Sequence, residues 1–228
     1  MKENIINKLK ELLKYITIEQ NTEEFTKLFE YIKKTTNKKL NIKEYTFNNK
    51  KALVISNNNT LEQDIIFCTH IDIVPATNYS YHEDQNNIYG RGTIDMKSNV
   101  AVILELLNNI NSPYNIALFI TSDEEIDGNC VYELLKIYKT KLAIVPDGGT
   151  NFQLIKEEKG LLQLELSINT KSAHASQPFN GENAIVSLYQ VYDKLIKKYP
   201  LPQSNKEYIT SINLSTIVGG TAINQVPD

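Results

Sequence analysis

The stretch Asp64-Ile65-Ile66-Phe67-Cys68-Thr69-His70 decides the fold. It is a short, nearly continuous apolar run with no polar alternation. That pattern belongs to a strand covered on both faces, as in a parallel sheet between helix layers. Two later runs repeat it: residues 115–121 (NIALFIT) and residues 142–145. Helical periodicity fills the intervals, at 96–110 (MKSNVAVILELLNNI) and at about 128–139. Upstream, 2–17 and 22–36 read as amphipathic helices, and 42–47 and 51–56 as strands turning at Asn48-Asn49. Residues 76–90 are polar and read as loop or hairpin. The sum predicts an α/β domain: a mostly parallel sheet with helices on both faces.

Such sheets gather ligands outside the carboxyl ends of their strands. The residues predicted at those ends are His70 with Asp72, then Asp123-Glu124-Glu125, then Asp147. In isolation, H-x-D at a strand end is commonly a packed histidine beside a surface aspartate. Residues two apart on a strand face the same way, however, and a ligand histidine needs an acid to orient it. A run of acids is usually a solvated surface. Directly after a buried strand, adjacent like charges call for a reason, and a divalent cation is one. Asp95 lies in GRGTIDMKS (90–98), just before a predicted helix. It suits an N-cap, and a capping turn can also hold a carboxylate rigidly toward a metal. The glycines at 90 and 92 permit close backbone approach, but their spacing is not a nucleotide-binding fingerprint.

The net charge of −3 over 228 residues argues against a nucleic-acid partner, which needs clustered lysine and arginine. No apolar run has the length of a membrane span, and no signal peptide is read at the start. Cys68 and Cys130 lack metal or disulfide spacing, so a reducing, cytoplasmic setting is expected. Near Lys159 the pattern changes. Residues 161–169 and 208–217 alternate like half-exposed strands, 182–198 reads as a helix, and Gly219-Gly220 turns into 221–226. This β-α-β-β order predicts the start of a small α+β, ferredoxin-like domain. The expected division is 1–158 and 159–228.

In order along the chain stand CTHIDIVP, YGRGTIDMKS, TSDEEIDG, VPDGG, Lys159-Gly160 and SAHASQPFNGENAI. Together they resemble the dinuclear zinc peptidase and deacylase family of succinyl-diaminopimelate desuccinylase, acetylornithine deacetylase, aminoacylase and bacterial dipeptidases. The resemblance covers roughly residues 64–228. It implies that His70 and Asp147 bind one metal ion, that Asp95 bridges two, and that Glu125 binds the second. It further implies that Asp72 orients His70 and that Glu124 is the general base toward a water between the ions. Zn²⁺ is the implied cofactor, with Co²⁺ or Mn²⁺ as substitutes. The second domain would be a lid and dimerisation domain, giving a homodimer. From it His174 would reach a neighbouring subunit's active centre, and Asn224 would contact substrate. His82 matches no ligand and is expected in an exposed loop.

The chain departs from the family pattern in four places. Thr69 replaces the usual Gly before His70, and Ser98-Asn99 stand where Gly is common. The late histidine that completes the second metal shell has no counterpart, and the small domain is left incomplete. A truncated product, a fragment and a natural split chain all fit that pattern. The expectation is that the chain alone binds one ion well and the second poorly. Pro146-Asp147, GRGTID and Glu158-Lys159-Gly160 lean toward a dipeptidase-like exopeptidase acting on small peptides. The alternatives are an N-acyl-amino-acid deacylase and a catalytically impaired remnant.

Overall fold

The apolar runs meet in one five-stranded sheet in the computed structural model, which describes residues 1–148, 153–204 and 207–228. Two units are distinguished, Met1–Gln153 and Leu154–Asp228. In the first, the strands are β1 (Asn41–Phe47), β2 (Lys50–Ser56), β3 (Glu62–His70), β6 (Ile116–Thr121) and β7 (Lys139–Ile144). A small hairpin, β4 (His82–Glu83) and β5 (Ile88–Tyr89), lies between β3 and β6 in sequence. The sheet order is β1-β2-β6-β3-β7. β1 pairs antiparallel with β2, and β2 antiparallel with β6; β6, β3 and β7 run parallel. Only β2 therefore points against the other four, and the sheet is mostly parallel.

Alternate side chains of the same strands feed two cores. Leu53, Ile55, Ile116, Leu118 and Ile120 face the helices α1 (Lys2–Leu12), α2 (Thr22–Thr35) and α3 (Ser98–Asn108). Ala52, Val54, Ile66, Cys68, Ala117 and Phe119 face α4 (Asn129–Ile137). Each fully buried aliphatic or phenyl side chain contributes about 1.5–3 kcal/mol of transfer free energy. A core on both faces is why β6 reads as a continuous apolar run: all six of its residues are buried.

Two helices differ from expectation. The first ends at Leu12, not at residue 17. Ile16, Thr17 and Ile18 are β-branched and resist the helix, and Thr17 bonds elsewhere. The helix expected from residue 96 begins at Ser98, after an irregular turn over Thr93–Lys97. Within that turn Asp95 (φ −111°, ψ 99°) and Met96 leave helical geometry, and the N-cap position falls to Lys97. Asp95 is thus not a helix cap.

In the second unit α5 (Ala184–Lys198) carries the expected helix, capped by the Asn183 side chain, which accepts from the Val186 N–H at 3.1 Å. A two-residue ladder joins β8 (Ala173–His174) to β9 (Gln225–Val226). The strands expected at 161–169 and 208–217 are not found there: among the described residues neither run has a ladder partner. Alternation describes a strand that has a neighbour and a covered face. Here Leu161, Leu162 and Leu164 are 85%, 78% and 74% exposed, so no face is covered.

Candidate metal centre

The sheet order places β3 between β6 and β7, with all three running the same way. In register, His70 stands opposite Thr121, and Phe67 opposite Ile144. The segments leaving the three strands therefore emerge side by side. The β3 exit carries His70 and Asp72, the β6 exit Glu124 and Glu125, and the β7 exit Asp147. The Thr93–Lys97 turn adds Asp95 from outside the sheet. Asn99, at the start of α3, donates its amide to the Pro146 carbonyl at 2.5 Å and ties the β7 exit to that helix.

His70 is the hub. Its Nε2 lies 3.0 Å from Asp95 Oδ1, 3.7 Å from Asp147 Oδ2 and 3.9 Å from Glu124 Oε2. Its Nδ1 donates to the Asp72 carbonyl at 3.1 Å and stands 3.3 Å from Asp72 Oδ1. Asp72 Oδ2 accepts the Glu125 backbone N–H at 2.8 Å. Two overlapping donor sets result: His70 with Asp95 and Glu125, and His70 with Glu124 and Asp147, each with its atoms within 4.8 Å of one another. His70 and Asp72 are buried, while the Asp95 and Glu124 side chains are about half exposed. The centre is thus rooted in the fold and open on one side.

The charges are unbalanced. Burial raises the carboxyls of Glu124, Glu125 and Asp147 above their ordinary values, and the neighbouring acids push in the same direction. Burial works against a charged His70, yet the hydrogen bond and charge of Asp72, with Glu124 and Asp95, raise its pKa to about 9. Five carboxylates around one imidazolium leave negative charge uncompensated. A divalent cation would compensate it, and oxygen donors with one imidazole suit Zn²⁺, Mn²⁺ or Co²⁺ better than a thiophilic ion. Both thiols, Cys68 and Cys130, are buried in the α4-side core.

Not every strand-end acid joins the centre. Asp123 is fully buried and turns toward α4, where its Oδ2 accepts the Cys130 N–H at 2.8 Å and its carbonyl accepts from Ile126, Asp127 and Gly128. His82 stacks on Tyr89 across the β4–β5 hairpin, ring centroids 4.9 Å apart. In the second unit His174 is exposed and its Nδ1 lies 2.8 Å from Ser176 Oγ. Gln225 stands opposite His174 in the β8–β9 ladder, and just before β9 the Asn224 carbonyl accepts the Ala175 N–H at 2.9 Å. Lys97 was missed by sequence reasoning. It is fully buried, with Nζ donating to the carbonyls of Tyr15 (2.7 Å) and Leu12 (3.2 Å). A lysine three residues before Val100 and four before Ala101, on the apolar stripe of a helix, was the available signal.

Residues 66–171 match Peptidase family M20/M25/M40, and residues 156–228 match the Peptidase dimerisation domain. An acetylornithine deacetylase of Buchnera aphidicola subsp. Schizaphis graminum is 31% identical over 180 residues, 71% of this chain and 47% of that protein. A probable carboxypeptidase of Aspergillus niger is 30% identical over 190 residues, 72% of this chain and 45% of that protein. The chain thus spans just under half the length of these relatives. Among solved structures, an M20 family metallo-carboxypeptidase from Sulfolobus solfataricus superposes with a TM-score of 0.66 at 18% identity, covering 98% of this chain and 68% of that one. That likeness is one of fold. No helix among the described residues is long and apolar enough to cross a membrane.

Proposed function

We propose, for a chain that belongs to Peptidase family M20/M25/M40, that it supplies most of the active centre of a metal-dependent amide hydrolase, a dipeptidase-like exopeptidase. The observation that carries this reading is the convergence of His70, Asp95, Glu124, Glu125 and Asp147 on one point at the strand ends. In this reading His70, Asp95, Glu125 and Asp147 would hold the metal, with Zn²⁺ as the expected ion. Zn²⁺ held there would acidify a water and polarise the scissile carbonyl. Asp72 keeps the His70 ring in place by accepting from Nδ1. Glu124 is half exposed, with its carboxyl raised by burial, and is suited to take a proton from water and hand it to the leaving amine.

The same reading assigns 1–158 to catalysis and 159–228 to a lid that pairs two copies. His174 would then reach the centre of the second copy, and Asn224 would contact substrate. The dimerisation-domain match supports that pairing. Two buried, unpaired cysteines favour a reducing cytoplasm. A second substrate class, N-acyl amino acids, is favoured by the acetylornithine deacetylase likeness. The test is calorimetric titration of the chain with Zn²⁺, followed by parallel assays on dipeptides and on N-acetyl and N-succinyl amino acids. Binding of at least one ion, lost in His70→Ala, is expected. A chain that takes up no Zn²⁺ overturns the proposal.

A further inference from the structure

We propose that residues 12–17 form a clasp that sets the spacing of His70 and Asp95, with Thr17 and Lys97 as its positioning residues. The proposal rests on the reading that His70 and Asp95 face a metal ion. These two residues come from different kinds of structure. His70 ends a strand held by two neighbours, whereas Asp95 lies in an irregular turn that no ladder fixes. Something else must hold the turn against the strand exit.

The segment after α1 grips both. On the strand side, buried Thr17 donates its hydroxyl to the Ile71 carbonyl and accepts the Ile73 N–H on its own carbonyl at 3.0 Å. These two bonds bracket Asp72. On the turn side, the Lys97 amino group donates to the Leu12 carbonyl, at the end of α1, and to the Tyr15 carbonyl just beyond it. A lysine is costly to bury, and an apolar chain would fill the same stripe. What only the amino group adds is directional bonding to those two carbonyls. The turn and the strand exit also abut: a Cβ on Gly92 would stand 2.7 Å from Ile73 Cγ2 and 3.4 Å from Lys97 Cδ. Residues 12–17 thus close a bracket around the pair whose facing atoms are 3.0 Å apart.

Neither Thr17 nor Lys97 is a donor in the centre; each acts through its neighbour. The test compares the wild-type chain with Thr17→Val, Thr17→Ser and Lys97→Met, well below their melting temperatures. The readouts are Co²⁺ affinity and the visible Co²⁺ absorption spectrum. Thr17→Val and Lys97→Met should weaken binding about 10- to 100-fold and shift the spectrum, as loss of outer positioning groups does, and Thr17→Ser should restore both. If Lys97→Met does not fold, the Thr17 pair decides alone. Wild-type affinity and spectrum in Thr17→Val overturn the clasp while leaving the metal reading intact. Equal losses in Thr17→Val and Thr17→Ser also overturn it. A wild-type chain that binds no Co²⁺ overturns both readings.

Discussion

The backbone N–H of Glu125 donates to Asp72 Oδ2 at 2.8 Å, while Oδ1 of the same carboxylate stands 3.3 Å from His70 Nδ1. One buried acid therefore couples the histidine at the end of β3 to the acid pair that follows β6. Asp72→Asn keeps the volume and removes the charge. The His70 pKa should then fall from about 9 toward the ordinary histidine value, and cation affinity should drop about 10- to 100-fold. An NMR titration of the imidazole in the metal-free protein measures the first effect. A His70 that still titrates near 9 would assign its proton to the opposing acids instead.

Cation uptake should be strongly pH-dependent. With its pKa raised to about 9, His70 is protonated at neutral pH in the metal-free protein, and a cation must displace that proton. The raised carboxyls of Glu124, Glu125 and Asp147 work in the same direction. Affinity should rise roughly tenfold per pH unit from neutrality until pH about 9, then level off. Calorimetry in buffers of different ionisation enthalpy should show about one proton released per ion. Uptake without proton release at pH 7 would contradict the charge balance drawn around His70.

Glu124→Gln should separate binding from chemistry. The amide retains the shape but cannot accept a proton, so hydrolysis of the best dipeptide or N-acyl amino acid should fall about 10²- to 10⁴-fold. Zn²⁺ affinity should change only a few-fold. Turnover that survives the substitution would remove Glu124 from the role of base.

Asp123→Ala should do the reverse. It removes the acceptor of the buried Cys130 N–H, which costs about 1–3 kcal/mol of stability. Urea unfolding should detect that loss, while Zn²⁺ affinity stays at the wild-type value. Two adjacent acids would then have been shown to serve the fold and the centre separately.

The strand ends were legible because a doubly covered strand has to be apolar throughout, and that pattern survives in 64–70 and 115–121 without knowledge of their neighbours. The same reading could not divide Asp123 from Glu124. Which acid turns toward α4 is set by the chain reversal after β6, and Asp123 carries no mark of that in its residue type. Asp95 was legible as a residue before a helix, suited to a cap or a metal, but its removal from the cap position was not, because the irregular turn depends on contacts from α1 and β3 distant in sequence. Lys97 was hidden for a related reason: a lysine is read as solvent-facing unless the carbonyls that receive it are known. The runs 161–169 and 208–217 show the converse. Their alternation is real in sequence, yet a strand is a property of a pair, and no ladder partner stands beside either among the described residues.

The placement of β3 between β6 and β7 also bears on the order of events during folding. The donors of the centre lie on segments brought together only when two parallel crossovers have closed, and such long-range pairings form late and slowly. Before that moment the chain offers an ion only sequence-local groups, His70 with Asp72 and Glu124 with Glu125. The full donor set exists only in the assembled sheet, and an ion bound there would add to the stability of that sheet and not of the open chain.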